Sequence, residues 1–291
     1  MTWLITGCSG QLGLAFQTEL GRQGIDFVSV NSTELDITNP SSIEETVNSL
    51  KPDVIINPAA WTDVDGAEAN ESAAYAVNAL GPQSLAIAAG KVGARLVQVS
   101  TDYVFSGEGM TPWNENASRN PQSVYGWTKS EGEKFVLKSY SAGTYVVRTA
   151  WLYSADRKNF AKTMTKLALY GEGEVRVVND QLGQPTFVRD LAKQIIDLAL
   201  SDSPVGIYHG TNSGQASWFE FAQEIFKLAG ADDSRVVPVS SSEYPRPAKR
   251  PSYSVLGHDA WTKTTVSPMR NWRIALAEAM PTIISAVNAE G

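Results

Sequence analysis

The feature that most constrains the fold is a glycine-rich turn between the first apolar run and the first amphipathic segment. Residues 3–6 are strand-like, the turn reads Gly7-Cys8-Ser9-Gly10-Gln11-Leu12-Gly13, and apolar residues recur at helical spacing from about 11 to 23. Glycines at this point permit a tight turn and let backbone N–H groups approach a pyrophosphate at the helix N-terminus. The segment therefore predicts a strand–turn–helix unit that can bind a dinucleotide.

Strand-like and helix-like segments alternate through the first half of the chain. The short apolar runs after the first lie at 27–30, 53–56, 95–99 and 145–148. Helical patterns are expected between them at 41–50 (with Ser41 and Ser42 as caps), 70–92 and 122–140. Near-continuous apolar strands that alternate with helices indicate a parallel sheet covered on both faces. The predicted fold class is α/β, a Rossmann-type doubly wound parallel sheet.

The second half is less regular and predicts a smaller lobe. Strand-like runs are expected at 175–178 and 206–209, and helices at 188–200, 218–229 and from 272 onward. We expect residues 1–150 to form an NAD(P)-binding Rossmann domain, with a return helix near 188–200. Residues 151–291 would mostly form a C-terminal substrate-binding lobe over the carboxyl edge of the sheet, where open α/β folds bind ligands.

Composition excludes several classes of partner. A net charge of −7 argues against nucleic acid and anionic membrane as binding partners, since both select basic surfaces. The single cysteine rules out an internal disulfide, and with only two histidines the prediction is that no metal site is present. No basic segment precedes a long apolar run, and no stretch approaches the roughly 20 residues that span a bilayer. A cytoplasmic protein is expected.

A catalytic site is indicated by Tyr125-Gly126-Trp127-Thr128-Lys129, which places a phenol and an amine one helical turn apart. A carbonyl that receives a hydride needs a proton donor, and a nearby cation would lower the phenol's pKa from about 10. Thr101 follows the strand-like run 95–99, where its hydroxyl can polarise a substrate carbonyl. Together with the glycine turn, Thr101, Tyr125 and Lys129 predict a nicotinamide-dependent oxidoreductase.

The choice of coenzyme depends on the end of the second strand. Val30-Asn31-Ser32 has no acidic residue to hold the ribose 2′-OH of NAD and no adjacent arginine to hold a 2′-phosphate. NADPH is slightly favoured because no carboxylate repels its phosphate, and NADH is allowed. Small residues after the third strand, including Ala59 and Ala60, leave room beside the coenzyme.

The chain closely resembles the dTDP-4-dehydrorhamnose reductase family of extended short-chain reductases. The resemblance runs over nearly the whole chain and rests on these motifs: Gly7–Gly13, Thr62–Asp65, Ser100–Phe105, Tyr125–Lys129, Arg148–Trp151, Asn179–Thr186 and Arg246–Pro251. It implies reduction of dTDP-4-dehydro-L-rhamnose to dTDP-L-rhamnose with NADPH or NADH, for cell-surface polysaccharide. It also implies a link to the pathway's 3,5-epimerase. Some family members form a Mg²⁺-linked dimer through acidic residues that have no clear match here. The resemblance therefore leaves open whether Mg²⁺ is bound and whether the protein is a monomer or a homodimer.

The resemblance also implies roles for individual residues. Tyr125 would be the proton donor, Lys129 its partner and a ribose ligand, and Thr101 the hydroxyl that tunes the site. Asp102 and Trp151 would contact substrate. Gly7, Gly10, Asn31 and Ala59 are expected at the coenzyme from the residue patterns above, and the resemblance adds further positions. The full set of expected coenzyme contacts is Gly7, Gly10, Gln11, Leu12, Gly13, Asn31, Asp36, Ile37, Ala59, Ala60, Trp61, Thr62, Tyr125 and Lys129.

Charged residues elsewhere carry weaker predictions. Asp63, Asp65 and Glu68 fit helix capping better than a cation site. His209 is expected to be structural. The late stretch Arg246–Arg250 is equally compatible with a solvated patch and with binding of the substrate diphosphate, for which Arg250 is the leading candidate.

Two other functions are compatible with part of this pattern. Sugar-nucleotide 4,6-dehydratases and epimerases resemble the chain, but the dehydratases carry Asp-Glu after the threonine, whereas Thr101 is followed by Asp102-Tyr103. A reductase-like regulatory subunit would generally have lost the tyrosine or the lysine, and both are present here.

Overall fold

The computed structural model describes residues 1–290, which form an α/β fold. The strands in this part of the chain are β1 (Thr2–Ile5), β2 (Asp26–Ser29), β3 (Val54–Asn57), β4 (Arg95–Thr101), β5 (Thr144–Thr149), β6 (Leu152–Tyr153), β7 (Val175–Val178), β8 (Leu182–Gly183), β9 (Thr186–Phe187), β10 (Gly206–His209), β11 (Ala216–Ser217) and β12 (Val236–Val239). The α-helices are α1 (Gln11–Gln23), α2 (Pro40–Leu50), α3 (Val64–Ala69), α4 (Glu71–Tyr75), α5 (Gly81–Val92), α6 (Val124–Tyr140), α7 (Phe160–Tyr170), α8 (Val188–Leu200), α9 (Trp218–Leu228) and α10 (Trp272–Ala289).

Six strands form one parallel sheet in the order β2-β1-β3-β4-β5-β10. The strand order reverses between β1 and β3, which creates a crevice at the carboxyl ends of the strands. The chain returns to this sheet after residue 150, because β10 pairs with β5. The predicted Rossmann-type doubly wound fold class is confirmed.

Alternate residues of the strands enter two separate cores, as expected for a sheet covered on both faces. Leu4 and Ile55 belong to a core with α2 and α5, whereas Trp3 and Ile56 belong to a core with α1 and α8. All four side chains are buried. The sheet is therefore packed on both faces, and the glycine turn and the ends of β3, β4 and β5 meet at its carboxyl edge.

The second lobe has its own core, formed by α7, α9 and α10 together with the parallel pair β7–β12. Trp272 and Phe221 lie at its centre, and both are fully buried. The helix α9 begins with a capping box, in which Ser217 and Glu220 satisfy each other's backbone N–H groups. Trp151 packs against this core and also lines the cavity at the carboxyl edge of the sheet that is described below.

One sequence-based prediction about a helix was wrong, and another gains a detail. The side chain of Asn39, rather than Ser41 or Ser42, caps α2 by accepting hydrogen bonds from the backbone of the first turn. The helix predicted over 70–92 is confirmed as an unbroken helical run over 71–92, in which α4 leads through a π-helical turn, Ala76–Leu80, into α5. A wider turn leaves no distinct mark on the apolar pattern, so the sequence showed only the overall helical period. No helix in residues 1–290 is long and apolar enough to cross a membrane.

Candidate functional site

The glycine turn is shaped by its neighbours. Gly7 has a φ of +54°, and a Cβ atom there would lie 2.8 Å from the Cα of Ala59. A Cβ on Gly13 would overlap the carbonyl oxygen of Gly7. Gly10 lies at the N-cap of α1 and makes no side-chain cap, so the first N–H groups of the helix point into the crevice. The turn is a cradle that side chains would fill, and it fits a dinucleotide pyrophosphate.

A cavity of about 570 Å³ extends from this turn along the carboxyl edge of the sheet. Most of the residues predicted for coenzyme, catalysis and sugar line it, and they are Gly7, Gly10, Gln11, Leu12, Gly13, Asp36, Ile37, Ala59, Ala60, Thr62, Thr101, Asp102, Tyr125, Lys129 and Trp151. Segments from five strand ends and from α6 thus converge on one space, which we call the first cavity.

Three predicted residues lie outside the first cavity. The Asn31 side chain accepts hydrogen bonds from Thr33 in its own loop, and the Trp61 indole donates to the carbonyl oxygen of Asp63. Arg250 lies at a second cavity, described below. Sequence reasoning missed Tyr103, which lines both cavities. Its position after Asp102 at the end of β4 was the only signal available.

Tyr125 and Thr101 meet in the first cavity. Thr101 ends β4, and Tyr125 is in the first turn of α6, which Ser123 caps. Burial raises the pKa of the Tyr125 phenol to about 12, and the Thr101 side chain, hydrogen-bonded to it, lowers that pKa by less. The phenol is therefore protonated at neutral pH and can donate.

Lys129 is buried one turn beyond Tyr125, and its Nζ donates a 2.7 Å hydrogen bond to the carbonyl oxygen of Val99. Burial lowers the pKa of Lys129 to about 8, while the carboxylate of Glu133 raises it. Glu133 is itself held by Ser100 and by a buried ion pair with Arg148. The sequence predicted that Lys129 lowers the pKa of Tyr125. Burial of the phenol is the largest effect on the pKa of Tyr125, so its lowering by Lys129 stays a prediction.

Asp102 is a buried carboxyl group at the same strand end. Its Oδ1 accepts a 2.9 Å hydrogen bond from Thr101, and its Oδ2 has no hydrogen-bond partner within residues 1–290. Burial raises the pKa of Asp102 to about 6, against smaller lowering by the nearby Ser254 and Thr101 hydroxyls. A buried oxygen without a partner is costly, so Oδ2 is an acceptor available to a ligand hydroxyl.

A second cavity of about 680 Å³ lies in the C-terminal lobe. Its lining combines aromatic and cationic side chains, and it is formed by Tyr103, Phe160, Met164, Arg176, Val177, Val178, Gln181, Trp218, Ser241, Tyr244, Pro245, Arg246, Ala248, Lys249 and Arg250. Because Tyr103 lines both cavities, the two adjoin at this ring.

The cations of the second cavity are partly neutralised. Arg250 donates to Asp65 at 2.8 Å, and Lys249 donates to Glu108 at 2.8 Å. Asp65 also accepts from the backbone N of Ala248, so it ties the late loop to α3. The capping prediction for the acidic segment is correct for Asp63, which caps α3, but Asp65 is engaged with the late loop instead.

Other predicted groups have clear structural partners. His209 is fully buried, its Nδ1 lies 2.8 Å from the carbonyl oxygen of Gly257, and burial beside Arg148 lowers its pKa to about 3. The neutral imidazole is thus held within the fold. Glu68 accepts from the backbone N of Val124 at the start of α6, and is not a cap of its own helix. Residues 1–290 contain no cluster of three or more acidic, histidine or cysteine side chains that could hold a metal ion.

The glycine cradle, the converging Thr101, Tyr125 and Lys129, and the parallel sheet define an oxidoreductase of the short-chain dehydrogenase/reductase class that uses a nicotinamide coenzyme. Comparison with known proteins narrows the class. Residues 1–284 match the family described as "RmlD substrate binding domain". The chain belongs to this family, that of the dTDP-4-dehydrorhamnose reductases.

Similar proteins cover almost the whole chain. A dTDP-4-dehydrorhamnose reductase of Streptomyces griseus is 44% identical over 97% of this chain and 93% of the relative. A probable dTDP-4,6-dihydroxy-2-methyloxan-3-one 4-ketoreductase of Streptomyces antibioticus is 43% identical over 98% and 97%. The crystal structure of the dTDP-4-dehydrorhamnose reductase of Bacillus anthracis in complex with NADP has a TM-score of 0.92 and 39% identity, covering 96% of this chain and 98% of that one.

Proposed function

We propose that this protein reduces the 4-keto group of dTDP-4-dehydro-L-rhamnose to give dTDP-L-rhamnose, for the biosynthesis of cell-surface polysaccharide. The observation that carries the proposal is the convergence of Thr101, Tyr125 and Lys129 with the glycine turn in one cavity, which adjoins a second cavity with cationic side chains. The name of the Streptomyces griseus relative supports the same substrate.

The coenzyme would be held by the glycine turn and by Ala59, Ala60 and Thr62, with Tyr125 and Lys129 at its ribose. When bound, the reduced nicotinamide supplies the hydride. Tyr125 donates its phenolic proton to the carbonyl oxygen, since its pKa of about 12 keeps it protonated. Thr101 hydrogen-bonds the same oxygen and polarises the carbonyl.

Lys129 would act on Tyr125 through its charge. Its pKa of about 8 leaves it largely cationic at neutral pH, and Glu133 supports that charge. A cation one helical turn away stabilises the phenolate that proton donation leaves behind. The proposed role is thus electrostatic: by stabilising the phenolate, Lys129 lowers the pKa of the phenol and eases proton donation.

The sugar would contact Asp102 and Trp151. The free Oδ2 of Asp102 is an acceptor for a sugar hydroxyl, and the Trp151 ring lines the same cavity. Arg250 would bind the diphosphate from the second cavity, with Arg246 and Lys249 nearby. This arrangement fits the predicted domains. Residues 1–150, together with helix α8, would bind the coenzyme, and residues 151–291 would mostly bind the substrate.

NADPH is the proposed coenzyme, with NADH as the weaker alternative. The NADP complex of the Bacillus anthracis relative supports this choice. One feature opposes it: the carboxylate of Glu34 accepts a 2.8 Å hydrogen bond from the backbone N of Asn31, so a negative charge lies near the tip of β2. We expect Glu34→Gln to raise the ratio of NADPH to NADH affinity by a few-fold, about 0.5–1 kcal/mol, measured by calorimetry.

The experiment that tests the function is NADPH oxidation with two substrates in parallel. One is dTDP-4-dehydro-L-rhamnose, and the other is the unepimerised dTDP-4-keto-6-deoxyglucose. Faster turnover of the first supports the proposal and implies that a 3,5-epimerase supplies the substrate. Faster turnover of the second would change the proposed substrate, and turnover of neither would overturn the function. Coenzyme that stays bound through purification would instead favour a dehydratase or an epimerase, because those enzymes regenerate their coenzyme whereas a reductase exchanges it in every turnover.

A further inference from the structure

Trp151 is held in an unusual backbone conformation. Its φ is +46°, in the left-handed region that bulky side chains rarely adopt and that costs about 1–2 kcal/mol. A Cβ atom on Gly183 would lie 2.6 Å from the Trp151 ring, so the ring passes directly over this glycine. Strain of this kind persists only where the surrounding structure enforces it.

The Trp151 ring is stacked on Trp218, from the first turn of α9. The two indole rings are stacked with their centroids 3.6 Å apart and their planes 11° from parallel. Phe160 packs against the far side of this pair, with its centroid 4.6 Å from that of Trp218. The capping box at Ser217 fixes the start of α9, and with it the position of Trp218.

The indole pair also lies between the two cavities. Trp151 lines the first cavity beside Tyr125, and Trp218 lines the second cavity beside Arg250. One ring therefore faces the space proposed for the sugar, and the ring stacked on it faces the space proposed for the nucleotide. A sugar nucleotide that spans both cavities would pass this pair.

We infer that Trp218 is a positioning residue for the reaction. It holds Trp151 in its left-handed conformation and so fixes the aromatic wall against which the keto sugar is placed. The inference rests on the proposed function, since it concerns the same site. Trp218 acts through Trp151, and the coenzyme end of the first cavity is formed without it.

The test compares Trp218→Leu and Trp218→Phe with the control Trp113→Leu. Trp113 is also a stacked tryptophan, 4.9 Å from Phe105, but it lines neither cavity. Circular dichroism of wild type minus Trp218→Leu should show the couplet of two stacked indoles. The KM for the sugar nucleotide should rise about tenfold in Trp218→Leu and recover to within about threefold in Trp218→Phe. Calorimetry should give an unchanged NADPH Kd.

Three outcomes would overturn the inference: no couplet in the difference spectrum, an unchanged KM in Trp218→Leu, or an equal rise in KM in Trp113→Leu. The last would mean that general loss of packing, rather than positioning, raises the KM. If the wild type reduces neither sugar, the proposed function fails instead. The couplet and the Kd values of dTDP-glucose and dTDP for Trp218→Leu then decide the inference. Loss of the couplet with weaker binding of dTDP-glucose but not of dTDP supports it. Unchanged dTDP-glucose binding, or an equal loss for both ligands, overturns it.

Discussion

The two cavities are built in different ways. At its glycine turn the first is formed by backbone and small residues, where Gly7 and Ala59 leave no room for larger groups. Long side chains from distant segments form the second, and its cations are shared with carboxylates such as Asp65. The first should therefore bind its ligand through fixed dipoles and shape, and the second through screened charges that exchange partners. The predictions below test this difference.

The largest effect is expected at the acid of the first cavity. Tyr125→Phe removes the proton donor and keeps the ring, so kcat should fall by about 10²-fold or more. The NADPH Kd and the cooperative unfolding transition should persist. Tyr208→Phe is a matched control, because burial also raises the pKa of Tyr208 to about 12, but its hydroxyl donates to the carbonyl oxygen of Pro204, just before β10 at the amino edge of the sheet. If kcat stays within a few-fold of wild type, Tyr125 is not the acid.

Loss of coenzyme binding is expected from a single side chain in the glycine turn. Gly10 has a φ of −78°, which valine adopts, so Gly10→Val should fold and yet obstruct the approach of the pyrophosphate. Calorimetry should show NADPH binding weakened by at least about tenfold. Gly21→Ala on the same helix is the control, because its new Cβ would meet no atom of residues 1–290 within 4 Å. Equal affinities for the two variants would refute the role of the turn.

A tenfold effect is expected at the second cavity. Arg250→Ala should raise the KM for the sugar nucleotide by roughly 10-fold, about 1.4 kcal/mol, and leave the NADPH Kd nearly unchanged. The KM of the wild type should rise with salt more steeply than that of the variant. Lys193→Ala, which removes an exposed cation paired with Asp197 on α8, should change neither constant.

The outcomes at Arg250 separate three explanations. An unchanged KM would mean that Arg250 is a solvated or purely structural cation. Equal losses for both ligands would mean that the Asp65 contact between the lobes was disturbed. Asp65→Asn resolves this directly: it frees Arg250, and we expect it to lower or preserve the KM.

The smallest effect is a change in the pH dependence of stability at the boundary between the cavities. Burial raises the pKa of Asp102 to about 6 from 3.8, so the folded state holds a proton that the unfolded chain has lost between these values. That carboxyl group should make the free energy of unfolding fall as pH rises through this window. Asp102→Asn removes this contribution. Relative to wild type, the Tm of the variant at about pH 7 should therefore be higher compared with its own Tm at about pH 4. Parallel Tm profiles for wild type and variant would contradict the raised pKa.

Much of the first cavity could be predicted from the sequence, because its parts are local. The glycine turn follows β1, Thr101 ends β4, and Tyr125 and Lys129 are one turn apart, so strand and helix periodicity already places them at one edge. The asparagine cap of α2 and the π-helical turn were missed because neither changes the apolar pattern.

The second cavity could be predicted only in outline. The sequence indicated a basic late loop, but not that Asp65, 185 residues earlier in the chain, would hold Arg250. Contacts of this kind depend on how two lobes meet, and no local spacing encodes that.

The sequence by itself thus determined the α/β class, the glycine turn and the order of the proposed catalytic residues, since each depends on backbone geometry over a few consecutive residues. The tertiary structure alone decided the pKa values of Tyr125 and Asp102, the pairing of Arg250 and the stacking of Trp218 on Trp151. The physical reason is that burial, desolvation and ring packing depend on which distant segments surround a group. Those surroundings exist only once the second lobe has packed over the edge of the sheet.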